Sequence, residues 1–317
     1  MHALDVICFG EALVDMLPEV RGRLRDCERF TVHSGGAPAN VAVGLARLGR
    51  KVAFAGAVGE DEFGHLLARK LAAEGIEAHL RFSTEARTGM WFVALDERGE
   101  RTFFTPTGAT SADKHIRSHD LPDALLSRAK WLHVGSSSHV LPEARGVLLE
   151  AIQRARAAGV RVSFDPNLRV HLWRELRDLQ ALVREAFPFC DVVKLSEDEV
   201  ELCTGERDPA RAAAWLTDQG VKLACITLGS SGARVRRGGE DLVVAAPSVK
   251  VVDTTGAGDG FVAGLLADLS TLDLAAMPRE ALVASVERAC RIGSRVCTEL
   301  GAVAGLPRPG DALPGMA

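Results

Sequence analysis

Short apolar runs alternate with amphipathic segments along most of the chain. Apolar runs such as 5–9 and 131–134 predict strands, whereas apolar residues recur at helical spacing over 38–48 and predict a helix. The same alternation predicts strands over 51–57, 160–164, 192–195 and 223–228, and helices over 62–73, 143–158, 178–187 and 210–219. A C-terminal helix is expected over 288–300. Strands that are apolar throughout and separated by helices indicate a parallel sheet covered on both faces. The predicted fold class is therefore α/β, a three-layer α/β/α sandwich with a mostly parallel twisted sheet.

Two regions depart from this alternation. Segments 13–17, 24–33, 88–95 and 101–105 have strand-like patterns and are joined by turn-rich links rather than helices. We therefore expect a small separate β-sheet, formed by about 12–33 and 88–106, that covers a site as a lid. Another hairpin is predicted over 233–245. We expect residues 1–317 to form a single domain, with a tail that frays after Gly305.

A glycine-rich loop opens directly into a predicted helix at Asp253–Asp259. Apolar residues follow it at helical spacing. Backbone N–H groups of Gly256, Ala257 and Gly258 at such a helix start point toward an incoming anion, which the helix dipole also favours. Asp259, in the first helical turn, is a candidate general base. The alternative is an ordinary capping aspartate after a glycine turn.

A second glycine-rich segment precedes the helix predicted over 38–48. Gly35 and Gly36 permit close approach of the backbone to a ligand. The side chain of Asn40 offers both a donor and an acceptor to hydroxyl groups. The alternative is a simple loop-to-helix turn, with Pro38 at the first helical position.

Polar segments follow three predicted strands at 165–169, 194–199 and 227–232. Ligands bind at the carboxyl ends of strands in open α/β sheets. Arg169 could therefore hold a phosphate or a sugar oxygen, although a surface arginine in a loop is equally compatible. Ser196 could cap a helix whose first turn is acidic.

Composition and charge exclude several classes of protein. The net charge of −4 over 317 residues gives no basic surface for nucleic acid. No apolar run reaches the roughly 18 residues of a transmembrane helix, and the N-terminus lacks the basic region of a signal peptide. Seven cysteines without a CxxC pair predict reduced thiols and a cytoplasmic protein. The sequence has neither a P-loop motif, nor a dinucleotide-binding GxGxxG after the first strand, nor a nucleophile elbow.

Two segments carry a family resemblance. Residues 252–261 (VDTTGAGDGF) resemble the C-terminal signature of the ribokinase-like (PfkB) carbohydrate kinases, and 34–42 (SGGAPANVA) resembles their N-terminal signature. The resemblance extends from Phe9 to Ala302. It implies a ribokinase-like fold in which a sugar binds between lid and core, with ATP and Mg²⁺ as cofactors. It also implies pairing of lids in a homodimer. The net charge and the lack of a long apolar run, rather than the resemblance, predict no nucleic-acid or membrane partner.

The resemblance also implies roles for individual residues. Catalysis would use Asp259 as base, the amides of Gly256, Ala257 and Gly258, and Arg169. The sugar would contact Asp15, Gly35, Gly36, Asn40, Arg169 and Asp259. The nucleotide would contact Lys194, Ser196, Thr227, Gly229, Gly232, Gly256, Gly258 and Cys290. Glu199 would hold Mg²⁺ through water, and a monovalent cation such as K⁺ would bind at Asp253, Thr255, Gly301 and Gly305. Ser196 and Cys290 stand where many relatives have asparagine.

The substrate implied by the resemblance is fructose, phosphorylated to fructose 6-phosphate. Segment 9–18 and the run 165–173 are most similar to fructokinases. Alternatives are 2-keto-3-deoxygluconate kinase and aminoimidazole riboside or ribose kinase. The chain has no tyrosine, which counts against a sugar acid, because relatives that bind one place a Tyr-Arg pair in the lid. A different class is a non-catalytic regulator that binds sugar or nucleotide on the same fold.

Overall fold

The computed structural model describes residues 3–19, 22–95, 101–107 and 110–315. In this part of the chain the strands form two sheets. The nine strands of the main sheet are β1 (Leu4–Phe9), β4 (Val52–Gly59), β5 (Glu77–Ser83), β8 (Ala129–Val134), β9 (Arg161–Phe164), β10 (Val192–Ser196), β11 (Leu223–Thr227), β12 (Ala233–Arg237) and β13 (Glu240–Val244). The four strands of the smaller sheet are β2 (Leu13–Pro18), β3 (Phe30–Gly35), β6 (Met90–Leu95) and β7 (Arg101–Phe104).

Helices connect most strands of the main sheet. They are α1 (Ala37–Arg47), α2 (Glu62–Ala73), α3 (Asp123–Leu126), α4 (Pro142–Ala157), α5 (Leu176–Ala186), α6 (Glu197–Thr204), α7 (Pro209–Asp218), α8 (Ala257–Leu269) and α9 (Arg279–Val296). The strand order is β13-β12-β11-β10-β9-β8-β1-β4-β5. Every pair from β11 to β5 is parallel, and only the hairpin β12–β13 adds antiparallel pairs at one edge. The prediction of a mostly parallel sheet is confirmed.

Alternate residues of the central strands pack against two helical layers. In β1, Ile7 and Phe9 pack with the apolar faces of α3–α7, whereas Val6 and Cys8 pack with those of α1, α2, α8 and α9. Because both faces are covered, both sets of alternating side chains must be apolar. This explains the continuous apolar runs of the sequence and confirms the three-layer sandwich.

The smaller sheet is separate from the main sheet, as expected for the hairpin segments. Its order is β3-β2-β6-β7, with β2 and β6 parallel and the outer pairs antiparallel. Residues 96–100, in the predicted turn between β6 and β7, lie outside the described residues. On one face, Leu13, Leu17, Trp91 and Val93 form a small apolar cluster of their own.

Four details of the prediction are wrong. Residues 24–33 do not form one strand, because the chain first makes a 3₁₀ turn at Leu24–Asp26, closed by a hydrogen bond from the amide of Cys27 to the carbonyl of Leu24. The last helix is Arg279–Val296 rather than 288–300. Strand β5 was not predicted. The described part of the tail, 306–315, is held by contacts rather than frayed, since Leu306 is buried, its carbonyl accepts a hydrogen bond from Arg47, and Arg295 donates to Asp311.

Replacing Asp61 by alanine is expected to destabilise the protein by about 2–3 kcal/mol. Asp61 caps α2 by accepting from the amides of Phe63 and Gly64, and it also accepts from the amide and hydroxyl of Thr88, just before β6. Loss of the carboxylate leaves all four donors without this partner. Chemical unfolding monitored by circular dichroism measures the effect. Asp208→Ala is the matched control, because Asp208 caps α7 through two amides only. An equal or larger loss in the control would contradict the prediction.

Candidate active site

The carboxyl ends of the parallel strands face the smaller sheet across a cavity of about 500 Å³. The loops after β1, β9 and β10 and the start of α8 form one wall, and β2 and β6 form the other. The predicted site residues that line the cavity are Asp15, Gly36, Asn40, Arg169, Lys194, Ser196, Glu199, Thr255, Gly256, Gly258 and Asp259. Residues from both signature segments therefore meet in one place.

Asp259 is buried at the start of α8, as predicted, with a side chain that faces this cavity. Asn40 Nδ2 donates to Oδ2 of Asp259 at 2.8 Å, and Asn167 Nδ2 lies 3.4 Å from Oδ1. Burial raises the pKa of Asp259, although the Asn40 hydrogen bond and the charges of Lys194 and Arg169 oppose the rise. A carboxylate fixed at both oxygens, with a raised pKa, is suited to accept a proton.

The glycine-rich start of α8 depends on two glycines, Gly256 and Gly258, for different reasons. Gly256 has φ +80°, and a Cβ there would lie 2.7 Å from the backbone of Ala302. A Cβ on Gly258 would lie 2.9 Å from the ammonium of Lys194. The first amides of α8 and the Lys194 charge therefore converge on one part of the cavity, which is the arrangement that an anion requires.

Lys194 forms a buried ion pair with Asp165, with 3.1 Å between Nζ and Oδ2. Burial raises the pKa of Asp165 to about 7 despite the nearby ammonium, and Glu199 and Asp259 add to the rise. Burial alone would lower the pKa of Lys194, but the surrounding carboxylates outweigh it and raise that pKa. Lys194 therefore stays positively charged beside the glycine loop.

Asn167 was missed by the sequence reasoning, although it lies at the centre of this site. It is the one non-glycine residue in the described ranges with a positive φ, at 45°. Its amide donates to Asp165, and its Oδ1 accepts from Arg169 Nη1 at 2.6 Å. Asn167 thus joins Arg169 to Asp259. The available signal was an Asp-Pro-Asn turn directly after a buried strand.

Glu199 forms the helix cap expected for the segment 194–199, and its predicted role in holding Mg²⁺ stays a prediction. Its Oε2 accepts from the amide of Ser196 in a capping box at the start of α6. Its Oε1 accepts from the amide of Leu168 at 2.6 Å and so fastens the loop after β9. Asp198 and Glu199 both line the cavity beside Lys194. Carboxylates so placed suit Mg²⁺, which keeps several waters and few protein ligands.

Asp253 connects the glycine loop to the segment after α9. Its Oδ1 accepts from the amide and hydroxyl of Thr255, and its Oδ2 accepts from the amide of Gly301. Gly305 packs against the end of α9, where a Cβ would lie 2.7 Å from the carbonyl of Arg295. Three of the four residues predicted to hold a monovalent cation are therefore in direct contact.

Nine predicted residues are not among those that line the cavity. They are Gly35, Thr227, Gly229, Gly232, Ala257 and Cys290, together with Asp253, Gly301 and Gly305 of the predicted cation site. A Cβ on Gly35 would overlap Asp15, so Gly35 makes room for that carboxylate. Thr227 is paired in the sheet with Ser196, which lines the cavity, and Gly229 and Gly232 belong to the turn that follows Thr227. Cys290 lies in the apolar core between α8, α9 and the sheet, where burial raises its pKa to about 11. Contacts of Thr227, Gly229, Gly232 and Cys290 with a nucleotide stay predictions.

The hydrogen bond from Asn40 to Asp259 predicts how kcat depends on pH. The base must be deprotonated, so kcat is expected to fall as the pH drops through the raised pKa of Asp259. In Asn40→Ala the hydrogen bond that lowers this pKa is lost, while Lys194 and Arg169 remain. The acid limb of the kcat profile should therefore move to higher pH. A limb that stays in place or moves to lower pH would contradict the role of Asn40.

Comparisons with known proteins agree with this geometry. The profile described as pfkB family carbohydrate kinase matches residues 3–309. The chain is 37% identical over 314 residues to fructokinase-2 of Solanum lycopersicum, covering 97% of this chain and 94% of that protein. It is 40% identical over 300 residues to the fructokinase of Escherichia coli, covering 94% of each.

Two solved structures are also similar. The fructokinase of Vibrio cholerae O395, in a double-mutant form bound to fructose, ADP and potassium ion, superposes with a TM-score of 0.86, at 37% identity over 96% of this chain and 95% of that one. Aminoimidazole riboside kinase of Salmonella enterica has a TM-score of 0.82 at 30% identity, over 96% and 97% of the two chains. Within the described residues, no helix has the length and apolarity to cross a membrane. With both signature segments at one cavity, the chain belongs to the pfkB family of carbohydrate kinases.

Proposed function

We propose that this sugar kinase is an ATP-dependent fructokinase that transfers the γ-phosphate of ATP to a hydroxyl of fructose, giving fructose 6-phosphate. The observation that carries the proposal is the position of Asp259. It lies in the same cavity as the hydroxyl-binding candidates Asp15 and Asn40 and the anion-binding loop 256–258. A base between an acceptor site and a phosphate site is what phosphoryl transfer to an alcohol requires.

The residues of the cavity divide the reaction between them. Asn40 and Asn167 fix the carboxylate of Asp259, which takes the proton from the attacking sugar hydroxyl. Negative charge spreads over the transferring phosphoryl group, and donors already aimed at it lower the barrier. The amides of Gly256, Ala257 and Gly258 and the charge of Lys194 supply these donors. Arg169, held by Asn167, adds a further positive charge to the same cavity wall.

Two cations fit the residues present. Mg²⁺ would be held through water by Glu199, and when bound to ATP it neutralises charge on the phosphates. A monovalent cation such as K⁺ would be held near Asp253 and Thr255, with Gly301 and Gly305 closing that side. The support for K⁺ is a buried carboxylate already oriented by Thr255 and Gly301, together with the potassium ion bound by the similar Vibrio cholerae fructokinase.

Fructose is favoured over the other sugars by the names of the similar proteins. Fructokinases from plants and bacteria match nearly the whole chain at 37–40% identity. Aminoimidazole riboside kinase, the second candidate, is also similar over nearly the whole chain, at lower identity. The test is coupled ADP release with fructose, ribose, aminoimidazole riboside and 2-keto-3-deoxygluconate. The highest kcat/KM is expected with fructose, and a higher value with another sugar would reassign the substrate.

The same assay separates a kinase from a non-catalytic regulator. A module that only binds its ligand has no need of a base, whereas Asp259 is buried and oriented by two asparagines. ADP release that rises on addition of sugar is expected of the kinase. Sugar binding without any ADP release would favour the regulator.

The outer face of the smaller sheet supports a homodimer. Phe92 lies across the strands from Phe30 and Phe104, in an edge-to-face pair with Phe30 (ring centroids 5.1 Å apart) and a tilted pair with Phe104 (6.1 Å). Phe104 and Val32 are 53% and 38% exposed. An apolar face of this kind is typical of a protein interface. We propose that two copies pair through this face. We also propose that each chain is a single domain with the smaller sheet as its lid. The seven free cysteines are consistent with a cytoplasmic protein, which we propose as its location.

A further inference from the structure

Lys114 is a charged residue of the cavity with no part in the reaction described above. It ends the 3₁₀ turn Ala112–Lys114, and its side chain is only 1% exposed although it lines the cavity. Its Nζ lies 2.7 Å from Oδ2 of Asp113, which is also 1% exposed. Lysine is rarely buried to this extent, because removing its charge from water is costly.

The ammonium of Lys114 retains hydrogen-bonding capacity. It carries three N–H donors, and Asp113 is its one hydrogen-bond partner within the ranges that the structure covers. Asp113 is held in place by close packing, because a Cβ on Gly89 would lie 2.7 Å from its Oδ1. Lys114 therefore has a fixed neighbour on one side and donors left for a ligand in the cavity that it lines.

Stability alone does not explain this pair. Replacing a buried ion pair with apolar residues of similar volume is often neutral or stabilising. The neighbouring Glu11 is also buried and also lines the cavity. It accepts from Ser138 Oγ at 3.1 Å and from the amide of Ala37 at 3.3 Å, and burial raises its pKa while the charge of Lys114 opposes the rise. This part of the cavity is thus a preformed polar wall.

We propose that Lys114 is a sugar-binding residue whose ammonium donates hydrogen bonds to hydroxyl oxygens of a neutral sugar beside Glu11. The inference rests on the proposed function and specifies its substrate class. Asp113 already neutralises Lys114, and the carboxyl groups of Glu11 and Asp15 line the same cavity. The carboxylate of a sugar acid would be repelled by these carboxyl groups, whereas the hydroxyl groups of a neutral polyol can accept from Lys114 and donate to Glu11 and Asp15. The wall therefore selects a neutral sugar over a sugar acid.

The test is Lys114→Met, which keeps the length of the side chain and removes its donors. Binding of fructose is measured by isothermal titration calorimetry, and KM values for fructose and ATP by coupled ADP release. Loss of hydrogen bonds from a charged donor is expected to raise Kd and KM for fructose about 10- to 100-fold, with KM for ATP nearly unchanged. Wild-type affinity for 2-keto-3-deoxygluconate is expected to be at least about tenfold weaker than for fructose.

Two further variants separate sugar binding from general destabilisation. Lys114→Met leaves Asp113 buried and uncompensated, so the double variant Asp113→Asn, Lys114→Met serves if the single variant does not fold. It should show the same loss of fructose affinity. Arg81→Met is the matched control, because it removes an ion pair with the buried Asp120 at 2.7 Å, away from the cavity lining. Its thermal stability should fall while its fructose affinity stays at the wild-type value.

The outcomes distinguish this inference from the proposed function. If a folded Lys114 variant has the same affinity and the same KM for fructose as the wild type, the inference is wrong, but the proposed kinase activity still stands. Tighter wild-type binding of the sugar acid than of fructose would also overturn the inference. If the wild-type protein binds fructose but releases no ADP, and the Lys114 variants lose this binding, the inference is supported and the kinase activity is refuted. Absence of fructose binding to the wild-type protein would refute both.

Discussion

Replacing Asp259 by asparagine is expected to lower kcat by about 10²–10⁴-fold, which corresponds to roughly 3–5 kcal/mol of transition-state free energy. The amide has nearly the same size but cannot accept the proton of the sugar hydroxyl. Because the loop 256–258 and Lys194 are unchanged, the affinity for ATP should stay close to that of the wild type. Coupled ADP release gives kcat, and calorimetric titration gives the nucleotide affinity.

Asp268→Asn is the matched control for this experiment. Asp268 lies on the same helix α8 and pairs with Arg288 at 2.8 Å, without lining the cavity. It tests whether removing a carboxylate from α8 has an effect of its own. The control should keep the wild-type kcat. Turnover of Asp259→Asn near the wild-type level would refute the assignment of the base.

Replacing Gly256 by alanine is expected to have the second largest effect, a loss of about 10²-fold or more in kcat. The residue would have to keep φ near +80° and place its Cβ 2.7 Å from the backbone of Ala302. The loop must therefore shift, which moves the amides of Ala257 and Gly258 away from the developing charge. KM for ATP is expected to rise as well, because the same amides face the bound phosphates.

Gly159→Ala is the control that separates the effect of left-handed backbone strain from the effect of moving the loop amides. Gly159 has φ +74°, and among the described residues no atom lies within 4 Å of a Cβ placed there. The left-handed conformation itself costs about 1–2 kcal/mol of stability in either variant, yet only the substitution at Gly256 should reduce kcat. Equal kinetic effects in the two variants would show that the loop amides have no special role.

The main sheet could be predicted because its central strands are covered on both faces. Burial of Ile7 and Phe9 on one side and of Val6 and Cys8 on the other makes the sequence of β1 apolar throughout. The edge strand β5 lacks this signal, since polar residues such as Glu77, His79 and Arg81 alternate along it. Its pattern therefore did not stand out as a buried strand.

The part of the site that a local backbone loop forms could be predicted from the sequence. The part that depends on side chains from distant segments could not. The loop 253–259 is local, and its glycines are visible in the sequence. Asn167 and Asp259 are 92 residues apart and are brought together only when β9 and α8 come to the same edge of the sheet. Lys114 gives no sequence signal either, because lysine is ordinarily an exposed residue and its burial depends on packing of its turn against β4.

The central claim is phosphoryl transfer from ATP to a sugar hydroxyl in the cavity that contains Asp259. It is tested most directly by incubating the wild-type protein with ATP, Mg²⁺ and fructose and following the products by phosphorus NMR. The account predicts a fructose phosphate that accumulates in step with ADP, and accumulation at least about 100-fold slower with Asp259→Asn. Inorganic phosphate in place of the sugar phosphate, or no ADP at all, would contradict it.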